Sequence, residues 1–405
     1  MYRHDPMRSG SATTSVPADA TPVWTVNPGG KLSSPVINAG TVFVSRIDEH
    51  AVLAMDADNG ETKWSFTAGG RVDSPPAVSG GRVYFGSADG WIYCLRETDG
   101  EMVWRYRAVA EERHIVSYGQ LESAWPVHGS VLLQEGFVYA IAGRSMFLDG
   151  GLHLLKLDAV TGKKLVEQVL DENIPDSQDS LQSRMKSLDM PVAMPDILSS
   201  DGTRLYMRSQ SFTLDGQRPD VPVTGPSDQG GEQAHLVCPS GFLDDDWHHR
   251  SYWVFGRGYG TGHNGWFRAG RFAPAGRMLV FNEDTVYGYG RQPEMYVWST
   301  ALEYQLFAAE RRVKQAAIER TLVANQKQES PGEHGHEITF DRDLMRRYPL
   351  SEISAIGFRW RQEEPTIQAR AMVLAGDTLF VAGLPDVVAE EEIFSRPHDR
   401  TIRAK

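Results

Sequence analysis

Two stretches decide the fold: LAMDADNGETKW at residues 53–64 and YCLRETDGEMVW at residues 93–104. When they are aligned, Gly60 precedes Gly100 by 40 positions, and Trp64 precedes Trp104 by the same 40 positions. Trp24 lies a further 40 positions upstream. A fixed interval of this kind indicates an internal structural repeat.

Further copies of the repeat follow along the chain. A third copy, LHLLKLDAVTGKKL at residues 152–165, keeps the aspartate and glycine but not the tryptophan. Weaker strand pairs occur at residues 201–210, 275–290 and 375–383. About six units are therefore recognisable in the 405 residues.

Each unit is predicted to form four short strands. Alternating apolar runs such as Val42-Phe43-Val44 are separated by glycine-containing turns, a pattern typical of consecutive antiparallel strands. In the repeated turn, the aspartate is expected to cap backbone N–H groups and the glycine to adopt a positive φ. The tryptophan four residues later is expected to pack between sheets. These structural positions are Asp56, Gly60, Trp64, Gly100, Trp104, Asp158 and Gly162.

The sequence predicts an all-β fold, a β-propeller of four-stranded blades, because about 40 residues with four strands is the length of one blade. Seven or eight blades are expected in a complete ring. The main competing fold, a β-sandwich, does not explain a constant 40-residue interval.

The predicted organisation has one propeller with several interruptions. Its segments are a polar N-terminal extension at 1–22, blades at 23–298 with insertions at about 108–130, 171–196 and 213–270, a helical insertion at 299–348, further blade strands at 349–385, and a polar, helix-like tail at 386–405. Strands that would close the ring are not evident at the C-terminus, so the chain is expected to be truncated.

Composition excludes several functional classes. A net charge of −12 argues against general binding to nucleic acid or anionic lipid. No apolar run approaches the roughly 20 residues of a membrane span, and the polar first 22 residues do not resemble a signal peptide. Cys94 and Cys238 are 144 positions apart. Two alternatives are open: two buried free thiols, or one long-range disulfide.

The pattern A-x-D-x-x-x-G-x-x-x-W, at Ala54 to Trp64, resembles the repeat of pyrroloquinoline-quinone-type propellers. In that family the tryptophan docks one blade onto the next. Nearly the whole chain is similar to large propeller proteins of planctomycete-type bacteria, over residues 1–10, 70–95, 120–131 and 273–296. Such proteins extend beyond both ends of this chain, so the resemblance implies a fragment.

The resemblance implies two possible types of function. Quinone-dependent dehydrogenases hold pyrroloquinoline quinone on the propeller axis, with calcium and often a disulfide between adjacent cysteines. The outer-membrane assembly lipoprotein uses an empty propeller as an interaction scaffold. This chain has no adjacent cysteines and no stretch that aligns with the dehydrogenases' calcium and base positions. The quinone and calcium are therefore implied by the family and not by residues, and no catalytic or metal-binding residue is predicted.

Ligand-binding candidates lie in the insertions, because loops in repeat scaffolds collect at one face. Residues 108–130 are either a loop at the funnel mouth or an ordinary connection leading to a blade's first strand. Residues 235–270 could ligate a metal, stack on a carbohydrate, or fill gaps between blades with their tryptophans. The candidate residues are Arg113, Trp125, Asp246, Trp247, His248, His249 and Trp253.

These features predict a non-catalytic propeller that serves as a scaffold for proteins or ligands, placed in the cell envelope by resemblance. No nucleophile elbow, P-loop or Rossmann glycine motif occurs. The alternative is a quinone-dependent oxidoreductase or a polysaccharide-binding or polysaccharide-processing protein with its site on the funnel. The expected partners are other envelope proteins or a glycan.

Overall fold

The computed structural model describes residues 1–173, 177–180, 197–208, 210–219, 230–238, 253–257, 273–292, 304–314 and 354–387, together with Arg396 and His398. All of its regular elements within these ranges are strands. In chain order they are β1 (Ser11–Ala12), β2 (Val36–Asn38), β3 (Thr41–Arg46), β4 (Ala51–Asp56), β5 (Thr62–Thr67), β6 (Ala77–Ser79), β7 (Arg82–Gly86), β8 (Trp91–Arg96), β9 (Met102–Arg107), β10 (His114–Ser117), β11 (Gln120–Ser123), β12 (Leu132–Gln134), β13 (Phe137–Ala142), β14 (Leu152–Asp158), β15 (Lys164–Leu170), β16 (Ser199–Ser200), β17 (Arg204–Met207), β18 (Gln210–Thr213), β19 (His235–Val237), β20 (Trp253–Gly256), β21 (Ala275–Gly276), β22 (Met278–Phe281), β23 (Thr285–Arg291), β24 (Tyr304–Glu310), β25 (Phe358–Glu363), β26 (Ile367–Ala375) and β27 (Thr378–Pro385).

The strands form seven blade-like sheets within the described residues. Blades 1, 2, 3 and 6 are four-stranded antiparallel meanders made of β2–β5, β6–β9, β12–β15 and β22–β25. Blade 4 (β16–β18), blade 5 (β19–β21) and blade 7 (β1, β26 and β27) each show three strands. The all-β propeller expected from the 40-residue repeat is confirmed. One further hairpin, β10–β11, stands between blades 2 and 3.

The core lies between successive blades. The first strands of blades 1, 2 and 3 are neighbours, as are β22 of blade 6 and β26 of blade 7. Between blades 4 and 5, Tyr206 stacks on His235 with ring centroids 4.0 Å apart. Between blades 5 and 6, Phe255 packs on Phe281 at 4.8 Å. Burial of such apolar faces between sheets is what stabilises a propeller.

The repeated tryptophan docks each early blade onto the next, as the repeat predicts. Gly100 of blade 2 has φ +75°, and a Cβ at this position would lie 2.7 Å from the indole of Trp64 in blade 1. Only glycine fits there, both for its φ and for this contact. The Nε1 of Trp64 also donates to the carbonyl of Glu97 at 2.8 Å. Trp104 repeats the arrangement with Gly162 of blade 3.

The aspartate of the same turn caps it, which confirms a second prediction. Asp56 Oδ1 accepts from the backbone N–H of Asp58 at 2.9 Å. Asp158 Oδ1 accepts from the N–H groups of Val160 and Thr161 at 3.1 and 2.7 Å. The cap satisfies N–H groups that the turn would otherwise leave unpaired.

The helix expected within residues 299–348 is wrong where the structure describes it. Tyr304–Glu310 is the third strand of blade 6, paired with β23 and β25. It is buried on both faces, since Phe307 and Ala308, which point to opposite faces, are each 1% exposed. A strand buried on both faces shows consecutive apolar residues, and over so few residues this resembles a helical stripe. Residues 299–303 and 315–348 lie outside the described residues.

Residues 213–270 are not only an insertion. His235–Val237 and Trp253–Gly256 pair with each other, and Trp253–Gly256 also pairs with Ala275–Gly276, to form blade 5. The prediction of an insertion at about 213–270 is therefore wrong at these strands. Their shortness, and the polar residues between them, concealed them in the sequence.

The N-terminal extension expected at residues 1–22 is wrong for its first twelve residues. Ser11–Ala12 pairs in parallel with β26 of blade 7, so the two ends of the described chain meet in one sheet. This strand joins β26 and β27 in blade 7, a pairing that the sequence did not reveal. Residues 13–23 are mainly exposed, as expected of an extension. Trp24 then packs on Gly60 of blade 1 in the manner of a blade tryptophan, so the segment that begins in blade 7 ends against blade 1.

Residues 1–10, here called the central segment, run along the inner strands of several blades. Ser200 of blade 4 donates its N–H to the carbonyl of Pro6 at 2.8 Å, and Phe281 of blade 6 donates to Ser9 at 3.0 Å. At the other end, Met1 lines a cavity of ≈ 550 Å³ between the turns of blades 1, 2 and 3. Contacts on so many blades place the central segment in the channel of the propeller.

Arg8 is the centre of that segment and is 1% exposed. Its guanidinium donates to the carbonyls of Leu198 at 2.9 Å, Tyr2 at 3.1 Å, Ser130 at 3.2 Å and Val131 at 3.3 Å. Burial lowers the pKa of Arg8 to about 10, so the group stays charged at neutral pH. The residue thus links the central segment to the entrances of blades 3 and 4.

Neither cysteine forms a disulfide and both are buried, which confirms the prediction of two buried thiols. Most of the predicted tail at 386–405 lies outside the described residues, as do residues 181–196 of the second predicted insertion.

Candidate functional site

The candidate site lies on the face of the propeller that carries the blade-to-blade connections, here called the upper face. In an up-and-down blade these connections emerge on the same side as the loops between the second and third strands. The relevant connections are residues 68–76 and 108–131, and the relevant loops are residues 47–50 and 143–151. Side chains from blades 1, 2 and 3 therefore converge here.

The β10–β11 hairpin is the element that brings them together. It occupies the connection between blades 2 and 3, and its register pairs Ile115 with Glu122 and Val116 with Leu121. Tyr118, in the turn, has φ +51°, and the glycine after it has φ +73°. Two consecutive residues with positive φ match the turn that best suits a two-residue hairpin.

Glu122 is the buried centre of the site, with a fully buried side chain. Its Oε1 accepts from Arg71 Nε at 2.6 Å, and its Oε2 accepts from Arg144 Nη2 at 2.5 Å. Arg71 is itself buried and lies 3.9 Å from the exposed carboxylate of Asp48. One carboxylate thus joins the connection entering blade 2, the hairpin and a loop of blade 3.

The electrostatics favour the ionised form of Glu122. Burial by itself raises the pKa of this carboxyl, but hydrogen bonds from Arg144 and Arg71 outweigh burial and lower the pKa overall. Replacing either arginine would leave a buried charge with fewer partners, which is costly.

Further hydrogen bonds fix the hairpin to blade 1. His50 Nε2 donates to Gln120 Oε1 at 2.7 Å, and Gln120 Nε2 donates to the carbonyl of Asp48 at 3.1 Å. The Arg71 guanidinium lies 4.1 Å from the Tyr118 ring centroid, a cation–π contact. The hairpin is therefore held on the propeller by polar contacts to two neighbouring loops.

A second buried pair, Asp73 and His128, lies beside Glu122. His128 Nδ1 contacts Asp73 Oδ2, and Gly129 donates its N–H to Asp73 Oδ1 at 3.3 Å. Both side chains are 5% exposed. The neighbouring hydroxyl of Ser74 has no hydrogen-bond partner in the structure but is completely buried, so no substrate can reach it. The pair orders the entrances of blades 2 and 3.

Two of the predicted ligand-binding residues meet at this face. Arg113 stacks on the ring of Trp125 at 5.0 Å and forms an ion pair with Asp149. Trp125 is 4% exposed and donates its Nε1–H to the Asp149 carbonyl at 2.9 Å. Trp125 is thus a packing residue, and Arg113 fixes the hairpin base to the blade 3 loop.

The other predicted ligand-binding residues are elsewhere. Trp253 lies on β20 of blade 5, is 9% exposed, and packs against the guanidinium of Arg3 at 5.0 Å. It is therefore a core residue beside the central segment. Asp246, Trp247, His248 and His249 lie outside the described residues.

Sequence reasoning missed Arg71 and Arg144 as members of the site, and Arg8 as the centre of the channel. Arg71 is 51 positions from Glu122, and Arg144 is 22 positions from it. No local spacing connects them. Only the fold could have indicated these residues, because connections and loops of neighbouring blades meet on one face of a propeller.

The quinone and calcium implied by the family do not fit the described residues of the channel. The central segment lies there, and Arg8 already donates to four backbone carbonyls. Cys94 and Cys238 belong to different blades, so they cannot form the disulfide of adjacent cysteines that the dehydrogenases often carry. Across the described ranges, no cluster of three or more His, Cys, Asp or Glu side chains could hold a metal ion.

Changing Glu122 to glutamine should remove the pH-dependent contribution that the ionised carboxylate makes to the free energy of unfolding. The carboxyl has a lowered pKa in the folded protein, so its contribution is complete above the ordinary pKa of 4.5 and is lost as pH falls through the folded value. We expect E122Q to cost about 3 kcal/mol at pH 7, and this difference from the wild type should shrink towards pH 3. Urea unfolding at pH 7, 5 and 3 measures it.

The control for this experiment is Glu112→Gln, which removes an exposed carboxylate 3.4 Å from Arg107. Exposed pairs contribute about 0–1 kcal/mol, so this variant should follow the wild type at each pH. A difference between E122Q and wild type that is the same at pH 7 and pH 3 would show that Glu122 is not held by charge.

The sequence match to a known protein family covers the blades that build this site. Residues 9–188 match a family described as outer membrane protein assembly factor BamB. This part of the chain is similar to the PQQ-like β-propeller repeats of that family. The matched region begins at Ser9 of the central segment and includes the whole of blades 1, 2 and 3. The upper-face residues therefore belong to the PQQ-like repeats themselves.

Two curated proteins are similar to part of this chain. A polyvinylalcohol dehydrogenase from Pseudomonas is 28% identical over 121 residues, which is 30% of this chain and 17% of that protein. The outer membrane protein assembly factor BamB of Salmonella typhimurium is 28% identical over 116 residues, 24% of this chain and 30% of that protein. The chain thus spans less than a third of the length of either relative.

Solved structures of similar type include BamB from Moraxella catarrhalis and a quinohemoprotein alcohol dehydrogenase from Pseudomonas putida. The first is 15% identical with a TM-score of 0.36, covering 62% of this chain and 67% of that one. The second is 13% identical with a TM-score of 0.45, covering 87% and 63%. In the described part of the chain, no helix is long and apolar enough to cross a membrane.

Proposed function

We propose that this protein is a non-catalytic propeller that binds other proteins of the cell envelope. The observation that carries the proposal is the central segment. Dehydrogenases of the family use the channel for their cofactor, whereas here the chain's own residues lie along its inner strands, with Arg8 hydrogen-bonded to carbonyls at the entrances of two blades. Binding must then use the outer faces.

The similarity to the outer membrane protein assembly factor BamB supports this proposal. The relative's name describes an assembly role at the outer membrane, and the family described by that name covers residues 9–188 here. By analogy we place this protein in the envelope, with envelope proteins as partners. Fold analogy raises the expectation of such a role, while the site's chemistry has to support it.

The chemistry of the upper face agrees with binding rather than catalysis. Glu122 is held ionised by two arginines, the Asp73–His128 pair is buried, and the hydroxyl beside that pair is inaccessible. General acid–base catalysis needs a group that can exchange a proton with a substrate within hydrogen-bond reach. These buried groups instead order the loops that a partner would contact.

A quinone-dependent oxidoreductase is the second candidate, favoured by the similarity to polyvinylalcohol dehydrogenase. To separate the two, the purified protein is incubated with pyrroloquinoline quinone and calcium, and absorbance and reduction of an artificial dye are followed with polyvinyl alcohol and simple alcohols. The scaffold proposal expects no bound quinone after gel filtration and no dye reduction. Stoichiometric quinone with substrate-dependent dye reduction would overturn it.

A further inference from the structure

Trp360 lies at the position in blade 6 that the docking tryptophans have in blades 1 and 2. Like Trp64 and Trp104, it is the third residue of the fourth strand of its blade. In all three blades the tryptophan pairs with a residue of the third strand that lies directly before a β-bulge. These partners are Ala54, Cys94 and Ala308. The register therefore identifies Trp360 as the docking tryptophan of blade 6.

Trp360 also packs on its own blade as its counterparts do. Its ring lies 6.4 Å from the ring of Tyr287 on the second strand, with 48° between the two planes. The corresponding rings of Trp64 and Phe43 are 5.9 Å apart at 53°. Blade 7 follows blade 6 through the contact of β22 with β26. Trp360 is thus oriented towards blade 7 as Trp64 is oriented towards blade 2.

The counterparts of Trp360 are covered by a glycine turn of the next blade, between its third and fourth strands. At Gly100 and Gly162 a Cβ would lie 2.7 and 2.6 Å from the indoles of Trp64 and Trp104. A carbonyl of the same turn accepts the indole N–H at 2.8 and 3.2 Å. Trp64 is 8% exposed, whereas Trp360 is 42% exposed and its Nε1 donates to no carbonyl within the described residues. The repeat itself therefore shows what kind of segment covers Trp360.

The strand that would carry such a turn in blade 7 would lie beside β27. β27 follows β26, which contacts the first strand of blade 6, so β27 is the second strand of blade 7. In blades 1, 2, 3 and 6, two more strands lie outside the second strand. The outer edge of β27 has no partner strand in the described part of the chain.

The composition of β27 is typical of a strand that is covered on both edges. Its eight residues, TLFVAGLP at Thr378–Pro385, include no charged side chain. The outermost strands of complete blades carry charges such as Lys63 in β5, Arg105 in β9 and Lys164 in β15, and charged side chains protect edge strands from pairing. A long, uncharged edge is instead a template for the addition of a strand.

The exposed tryptophan and the uncharged edge together define the segment that fits. It is apolar on both faces, because the third strands β4 and β8 are buried over at least four consecutive residues. A turn with glycine follows it, because a Cβ at Gly100 would collide with the indole. The segment is therefore an extended apolar strand that ends in a glycine turn of the blade type.

This chain does not offer such a segment to itself. Residues 386–405, which follow β27, contain no glycine. A second copy has the repeated turns of Gly60, Gly100 and Gly162, but each of them already covers a tryptophan of its own copy. We propose that the outer edge of β27 and the indole of Trp360 together bind an apolar strand of a partner polypeptide that ends in a glycine turn.

This inference rests on the proposed scaffold function and names one of its contact surfaces. The probe is a fluorescein-labelled peptide, AVLAMDADNGETK, which copies residues 51–63 and so carries a third strand with its glycine turn. Fluorescence anisotropy with the full chain should show saturable binding. Binding should weaken about tenfold or more for Trp360→Ala, because a buried tryptophan is often a hot spot of an interface. The Gly60→Val form of the peptide should bind the wild-type chain equally poorly.

Met102→Ala is the matched control, since Met102 is 48% exposed on the outer strand of blade 2. This variant should bind the peptide as the wild type does. Trp360→Ala and Met102→Ala both change exposed residues, so circular dichroism should show both folded. Absence of binding, or binding that neither Trp360→Ala nor the Gly60→Val change in the peptide weakens, would overturn the proposal.

Hydrogen–deuterium exchange locates the bound peptide. The amides of residues 378–385 should exchange more slowly in the complex, because strand addition pairs the outer edge of β27. The amides of residues 62–67, in the outer strand of blade 1, should be unchanged. Protection of the outer strands of other blades, without protection of β27, would overturn the assignment.

A second copy of the chain is tested in parallel. Concentration-dependent dimerisation in sedimentation velocity, lost in Trp360→Ala and accompanied by protection of residues 378–385, would overturn the proposal in favour of a second copy. A peptide that does not bind removes this contact surface and leaves the scaffold function standing. Quinone-dependent dye reduction would instead remove the scaffold function, and this inference with it.

Discussion

Replacing Arg8 by alanine is expected to lower the free energy of unfolding by about 3–5 kcal/mol. The change leaves four carbonyls, those of Tyr2, Ser130, Val131 and Leu198, without their donor in the channel. Each buried polar group left unpaired costs about 1–3 kcal/mol, and partial relaxation reduces the sum. Arg8 has φ +61°, and alanine bears a similar backbone cost there, so the loss reports on the guanidinium.

Chemical denaturation followed by tryptophan fluorescence measures this effect. The matched control is Arg105→Ala, which removes an exposed arginine that stacks on the Trp91 ring at 4.4 Å. That variant should lose about 1 kcal/mol or less. A loss below 1 kcal/mol for the Arg8 variant would mean that the central segment does not join the entrances of blades 3 and 4.

Replacing Trp64 by alanine is expected to cost a similar 3–5 kcal/mol, because it removes a buried indole between blades 1 and 2. The side chain packs on Gly100 and on Phe43, whose ring centroid lies 5.9 Å away. Its Nε1–H donates to the Glu97 carbonyl, so a hydrogen bond is lost as well. Nothing else in the turn can fill the space, since the opposing residue must be glycine.

Differential scanning calorimetry of this variant should show a lower transition temperature, with the change assigned to the interface of blades 1 and 2. Trp360→Ala is the matched control, because Trp360 is 42% exposed on the outer strand of blade 6. It should cost less than half as much. Equal losses for the two tryptophans would contradict the docking role of the repeated residue.

The parts of the fold that were predictable are those whose cause is local in the sequence. Gly60, Gly100 and Trp64 repeat at 40 positions because each blade needs the same turn and the same packing residue. The capping role of Asp56 also follows from its neighbours. These predictions are confirmed because a turn and its cap lie within a few residues of each other.

The parts that were not predictable depend on contacts between distant segments. Glu122 is buried only because Arg71 and Arg144 reach it from loops of other blades. Arg8 binds backbone carbonyls, and these leave no trace in the sequence, so the polar N-terminus predicts only an extension. The sequence predicts a helix over Tyr304–Glu310 because a short strand buried on both faces has no alternation to reveal it.

The proposed function depends on the placement of the central segment in the channel. Hydrogen–deuterium exchange of residues 1–12, measured by mass spectrometry of peptic peptides, tests it directly. We expect protection of the amides of residues 8–10 comparable to that of the blade strands Val83 to Phe85, because they are buried and donate within the segment: Arg8 to the Asp5 carbonyl at 3.0 Å, Ser9 to Asp5 Oδ1 at 3.0 Å and Gly10 to the Arg3 carbonyl at 2.9 Å. Exchange of residues 1–12 as fast as that of the exposed residues 17–22 would contradict the account, because the channel would then be open to a ligand.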